Sequence, residues 1–63
     1  MKTKVLNEVK RIVKGRYGRI SKADLDWYDG LCDHFIEEAL EEETFQDIVN
    51  NVIDVIEMEK AEV

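Results

Sequence analysis

Apolar residues recur along this chain in steps of three and four, which is the spacing of one face of an α-helix. The pattern predicts three helices, over about residues 3–14, 22–43 and 45–62. The side chains predicted to form the core are Val5, Leu6, Val9, Ile12, Val13, Leu25, Tyr28, Cys32, Phe35, Ile36, Leu40, Phe45, Ile48, Val49, Val52, Ile53 and Ile56. We therefore predict an all-α fold, a compact three-helix bundle with short connections.

Polar residues and a glycine mark the predicted helix ends. Ser21 followed by Asp24, and Thr44 followed by Asp47, have the spacing of a capping box. In such a box a short polar side chain accepts a hydrogen bond from an unpaired backbone amide of the first helical turn. Gly15 follows the first stripe at the place where a left-handed C-terminal cap is common, so we expect the first helix to end there.

One unbroken helix over residues 22–62 is an alternative, because neither glycine nor proline occurs beyond Gly30. The phase of the apolar positions argues against this unbroken helix. Continuing the second stripe would bring the polar residues Glu43, Asp47 and Asn50 onto the apolar face. A turn between the second and third stripes lets both meet one core. The remaining rival is a homodimer in which an unbroken helix is exchanged between chains.

The length of 63 residues predicts one small helical domain, residues 1–63. The single cysteine cannot form a disulfide within the chain. No segment approaches the about 20 apolar residues of a membrane span. Polar residues also interrupt the basic N-terminal stretch where a signal peptide would be apolar. We therefore expect a cytoplasmic protein that does not associate with membranes.

The net charge of the chain is −6, but positive and negative residues are distributed unevenly along it. Residues 1–22 contain eight Lys or Arg and one Glu, a balance of +7. Residues 23–63 contain one Lys and fourteen Asp or Glu, a balance of −13. Such asymmetry predicts either charge complementarity within the fold or a charged partner.

Five carboxylates form one row on the second predicted helix, about 120° from its apolar stripe. They are Asp26, Asp29, Asp33, Glu37 and Glu41. Nine carboxylates in all would lie along about 29 Å of this helix, roughly one per 3.5 Å. Phosphates of one DNA strand are about 3.4 Å apart. The row therefore predicts docking on a basic partner surface, and the alternative is a solvated face that keeps the protein soluble.

A basic segment precedes the acidic helix and is the candidate for phosphate contacts. Its members are Lys10, Arg11, Lys14, Arg16 and Arg19, and Tyr17 between them could stack on a base. The favoured interpretation is different: these cations neutralise the neighbouring acidic helices within the fold. We therefore do not expect nucleic acid to be the ligand.

Trp27 and Leu31 lie off the apolar stripe, so we expect them to be partly exposed. Exposed Trp is enriched at the energetic centres of protein interfaces. The alternative for Trp27 is packing against a loop at Tyr17 and Ile20. Met58 is a weaker candidate of the same kind on the third helix.

Catalytic chemistry has little support in this sequence. His34 stands among carboxylates on a polar face, where a solvated imidazole is more common than a metal ligand. Cys32 falls on the buried stripe and should be an inert thiol. No residue pattern supplies an apolar pocket that would separate the pKa values of paired carboxylates. We expect no enzyme activity, no metal and no cofactor.

Taken together, these features predict a non-enzymatic protein that binds another protein as an inhibitor or regulator. Its acidic helix face would occupy a basic, possibly nucleic-acid-binding, surface of the partner. In size, acidity and lack of catalytic residues it resembles the small accessory proteins made by phages and mobile elements, although no motif carries that resemblance. The alternatives are a nucleic-acid-binding module that uses the basic segment 10–22, and a self-associating structural bundle.

Overall fold

The computed structural model describes residues 1–61, and these residues form three α-helices. Helix α1 spans Lys2–Tyr17, α2 spans Lys22–Glu37 and α3 spans Phe45–Ala61. Each helix contacts the other two, and the Cα radius of gyration is 11.2 Å. A compact domain of this length has a radius of gyration of about 11 Å. The predicted all-α three-helix bundle is confirmed; the predicted last helical residue, 62, lies outside the described residues.

The helices run up, down and up. Lys2 at the start of α1 forms ion pairs with Asp29 and Asp33 in the second half of α2, so α1 and α2 are antiparallel. Arg16 near the end of α1 pairs with Glu57 near the end of α3, so these two helices run in the same direction. The α1–α2 connection and the α2–α3 connection therefore lie at opposite ends of the bundle.

The core lies between the three apolar stripes. Its fully buried members are Val5, Val9, Val13, Tyr28, Cys32, Ile48, Val49, Val52, Ile53 and Ile56, and all of them were predicted. Leu6, Ile12, Phe35 and Ile36 are half-buried and pack against this cluster. Helix α3 supplies half of the buried set, because its stripe faces both of the other helices.

Helix α1 continues beyond Gly15 and ends at Tyr17, so the prediction that Gly15 caps it is wrong. Gly18 is the residue that ends the helix, with a φ of 84° that favours glycine. The extra half-turn places Arg16 2.8 Å from Glu57 and Tyr17 under the ammonium group of Lys60, 4.9 Å from the ring centre. These contacts with α3 offset the cost of one glycine inside a helix, about 1 kcal/mol.

Helix α2 ends at Glu37 instead of the predicted residue 43. Carboxylates at a helix C-terminus oppose the helix dipole and repel one another. A helix continued to residue 43 would gather five glutamates at that end. Ending at Glu37 places four of them on the connection 38–44, where Ala39 packs against the core.

Both predicted capping pairs are present. The Ser21 hydroxyl accepts a hydrogen bond from the Asp24 amide at 3.1 Å. At the start of α3 the bonds are reciprocal: the Asp47 amide donates to the Thr44 hydroxyl at 3.2 Å, and the Thr44 amide donates to the Asp47 carboxylate at 3.0 Å. These bonds satisfy backbone donors that a helix start leaves unpaired.

Two predicted core residues are exposed. Leu40 is 61% exposed and Phe45 is 37% exposed. Leu40 leaves the core because α2 has ended before it, so the helical phase that would bury it no longer applies. Phe45 is the first residue of α3 and is not among the side chains that pack against the core cluster. The prediction that both belong to the core is wrong.

Candidate functional site

An acidic row runs along the outer face of α2. Asp26, Asp33 and Glu37 are exposed and Asp29 is half-buried. Steps of three and four residues place them one above another on a helix surface. Helix α2 holds this row in place because Tyr28 and Cys32 anchor its opposite face in the core.

Lys2 contacts the middle of the acidic row, a contact that the apolar and acidic pattern of α2 does not predict. Its ammonium group lies 3.1 Å from the Asp29 carboxylate and 2.9 Å from that of Asp33. Hydrogen bonds to Asp33 and Asp29 raise the pKa of Lys2 above its ordinary value. The predicted short connection between α1 and α2 could have indicated this contact. In an antiparallel pair of helices, the start of α1 lies beside the second half of α2.

The two outer carboxylates of the row differ from the inner two in their ion pairing. Within residues 1–61, neither Asp26 nor Glu37 takes part in an ion pair. Lys2 therefore offsets charge in the middle of the row, at Asp29 and Asp33, and not at its two ends.

Glu41 does not belong to the helical row, because α2 ends at Glu37. It is exposed on the connection 38–44, together with Glu38 and Glu42. The predicted spacing of about one carboxylate per 3.5 Å along a single helix is therefore wrong. From Asp26 to Glu37 the row covers about 16 Å of helix axis, and the remaining glutamates form an acidic end on the bundle.

Trp27 and Leu31 are half-buried and pack against the core cluster. The Trp27 ring is tilted against Tyr28, with 5.6 Å between ring centres. Each side chain therefore presents only part of its surface, on a different side of α2 from the acidic row, and their role in partner binding stays a prediction. Met58 is 65% exposed, as its position off the α3 stripe predicted.

Two members of the basic segment are neutralised within the fold. Arg11 binds Glu8 of the same helix at 2.6 Å, and this hydrogen bond lowers the pKa of Glu8. Arg16 binds Glu57 of α3 at 2.8 Å. The predicted neutralisation therefore holds for these two, through α1 and α3 and not through the acidic helix α2.

The other three members, Lys10, Lys14 and Arg19, line an open cleft. No ion pair between residues 1–61 involves them. The cleft lies between the second half of α1, the α1–α2 connection and the first turn of α2, and its volume is about 480 Å³. Its remaining lining comes from Gly18, Ile20 and Leu25. Three cations thus surround a mainly aliphatic floor.

The cysteine and the histidine occupy different environments. Cys32 is completely buried, and burial raises the pKa of its thiol to about 11, so it stays protonated at neutral pH. His34 is exposed and meets the edge of Phe35 at 5.2 Å between ring centres. Within residues 1–61 no three His, Cys, Asp or Glu side chains are grouped so as to hold a metal ion.

Within residues 1–61, no helix is both long enough and apolar enough to cross a bilayer. No protein-family model matches the chain. Searches against curated proteins and against solved structures also gave no significant match. The class defined by fold and surface is a small acidic three-helix bundle with an acidic helix face and a separate basic cleft.

Proposed function

We propose that this protein is a non-enzymatic binding protein that docks its acidic α2 face on a basic surface of a partner protein. The observation that supports this most is the outer face of α2, where four carboxylates share one lysine. Where the partner surface normally holds nucleic acid, the bound protein excludes it. The protein would then act as an inhibitor or regulator, of the kind made by phages or mobile elements.

The rigidity of the face favours this function. Asp26 and Glu37 stand on one continuous helix, which the buried side chains of Tyr28 and Cys32 fix in the bundle. A preorganised charged surface loses little conformational entropy on binding. It also steers an oppositely charged partner toward it, so association is fast and weakens as salt is added. Trp27 and Leu31, which are half-buried on a different side of α2, are predicted to add apolar contact area at its edge.

Reversing the two unpaired charges, Asp26→Lys with Glu37→Lys, tests this function. Both side chains are exposed and neither is in an ion pair within residues 1–61, so we expect helix content to be unchanged. The matched control is Asp54→Lys with Glu59→Lys, the same charge change at exposed positions of α3. The measurement is affinity capture from a lysate of the source cell, with nuclease present.

We expect the unaltered protein and the α3 control to capture the same nuclease-resistant protein, and the α2 variant to lose it. Added salt should release that protein, because exposed charges are screened within about 3 Å at 1 M ionic strength. Equal capture by the α2 variant would contradict the proposal. Recovery of nucleic acid alone, lost on nuclease treatment, would assign the function to the basic segment instead.

A further inference from the structure

The cleft of Lys10, Lys14 and Arg19 has the features of a site for an acidic segment with one large aliphatic side chain. Its cations have no carboxylate partner within residues 1–61. Ile20 and Leu25 provide apolar surface at its floor. Its volume of about 480 Å³ is within the range of ligand-binding clefts, and its open side would admit a segment of another chain.

The connection 38–44, at the opposite end of the bundle, presents such a segment. Leu40 is 61% exposed, and the exposed carboxylates of Glu38, Glu41 and Glu42 surround it in sequence. A backbone hydrogen bond from the Glu43 amide to the Leu40 carbonyl, at 3.0 Å, closes a turn directly after the leucine. The leucine is thus displayed on a defined turn among negative charges.

We propose that the connection 38–44 of one copy docks in the basic cleft of another copy. Leu40 would cover Ile20 and Leu25, and the glutamates would pair with the three cations. The contact cannot form within one molecule. Helix α2 of 16 residues, about 24 Å long, separates the two surfaces. The charges of the two surfaces are complementary, and each surface also presents aliphatic side chains.

This contact has a specific symmetry consequence. The two surfaces differ, so the association is head-to-tail and leaves one free cleft and one free connection at each stage. Copies would add one after another along the long dimension of the bundle, which is 33 Å. The net charge of −6 does not prevent this. At 0.1 M ionic strength the screening length is about 10 Å, so charges at the contact outweigh distant ones.

Two complementary variants test the contact. Leu40→Ser removes the aliphatic group but keeps the cleft, whereas Lys14→Glu with Arg19→Glu reverses the cleft but keeps the connection. Leu40→Met is the matched control, because it keeps a large apolar side chain at the same exposed position. All altered side chains are exposed, and circular dichroism checks that each variant is folded. The measurement is sedimentation velocity at about 0.1 M and about 1 M salt, up to a protein concentration of about 1 mM.

We expect the unaltered protein and the Leu40→Met control to increase in mass with concentration at the lower salt and to dissociate at the higher one. Each of the two site variants alone should associate about tenfold to a hundredfold more weakly. Mixed together, they should form a one-to-one dimer that cannot extend, because one partner contributes the intact cleft and the other the intact connection.

Three results would overturn the proposal. They are an unaltered protein that stays monomeric throughout, site variants that associate as strongly as the control, and a mixture that forms no dimer. These three outcomes do not depend on the acidic row of α2, since Asp26 and Glu37 are unchanged in every variant. Failure of self-docking is therefore distinguishable from failure of the proposed partner binding.

Discussion

Ile56 is among the largest side chains that the bundle buries completely. A chain of 63 residues has a small free energy of unfolding, about 3–9 kcal/mol at roughly 0.05–0.15 kcal/mol per residue. Each large buried side chain therefore carries a substantial share of it. Leu40 is a side chain of the same size in the same kind of pattern, but at 61% exposure it contributes little to the core.

Replacing Ile56 by alanine should lower the free energy of unfolding by about 2–5 kcal/mol, through lost apolar burial and a cavity. Leu40→Ala should change it by no more than about 0.5 kcal/mol, because the leucine is at the surface. Urea unfolding followed by circular dichroism, at a protein concentration too low for self-association, measures both. A loss at Leu40 as large as that at Ile56 would place the leucine in the core.

At the scale of the helices, two glycines near the end of α1 have opposite roles. Gly15 is helical, and a Cβ added there would meet nothing within 4 Å. Gly18 has a φ of 84°, in the region that L residues with a side chain rarely adopt. One glycine thus weakens the helix and the other ends it.

We predict that Gly15→Ala raises the free energy of unfolding by about 0.5–1 kcal/mol, since alanine has the higher helix propensity. Gly18→Ala should lower it by about 1 kcal/mol or more, because the left-handed conformation is strained for alanine. Thermal and urea unfolding of both variants provide the comparison. If α1 ended at Gly15, the substitution at position 15 would be the destabilising one.

Local signals in the sequence were enough to predict the three helices, both capping pairs and every fully buried residue. They failed where contacts between distant residues, or the combined charge of several residues, determine a helix end or the exposure of a side chain. Gly15 stays helical because Arg16 and Tyr17 meet α3, and no local pattern shows that contact. Helix α2 ends early where glutamates accumulate, and this early end also moves Leu40 to the surface. The cleft was missed because it combines α1, a connection and α2.

At the scale of the whole molecule, two local clusters of charge lie at opposite ends of the bundle. Lys14 and Arg19 lie near one end, and Glu38 and Glu41 lie near the other. The screening length at physiological ionic strength is about 8 Å, much shorter than the 33 Å dimension of the bundle. A partner approaching either end therefore meets the local charge and not the net charge. The acidic α2 face and the basic cleft can act as separate surfaces.

The buried position of Cys32 makes the chain's one thiol a natural reporter of opening. A thiol reagent can reach it only when the three helices separate. At neutral pH we expect alkylation at least about a hundredfold slower than in urea-unfolded chain. The Ile56→Ala variant should be labelled faster, by about tenfold for each 1.4 kcal/mol of free energy of unfolding that it loses. Labelling of the folded protein at the unfolded rate would contradict this burial; a slower rate would give the fraction of molecules in which the bundle is open, without any attached probe.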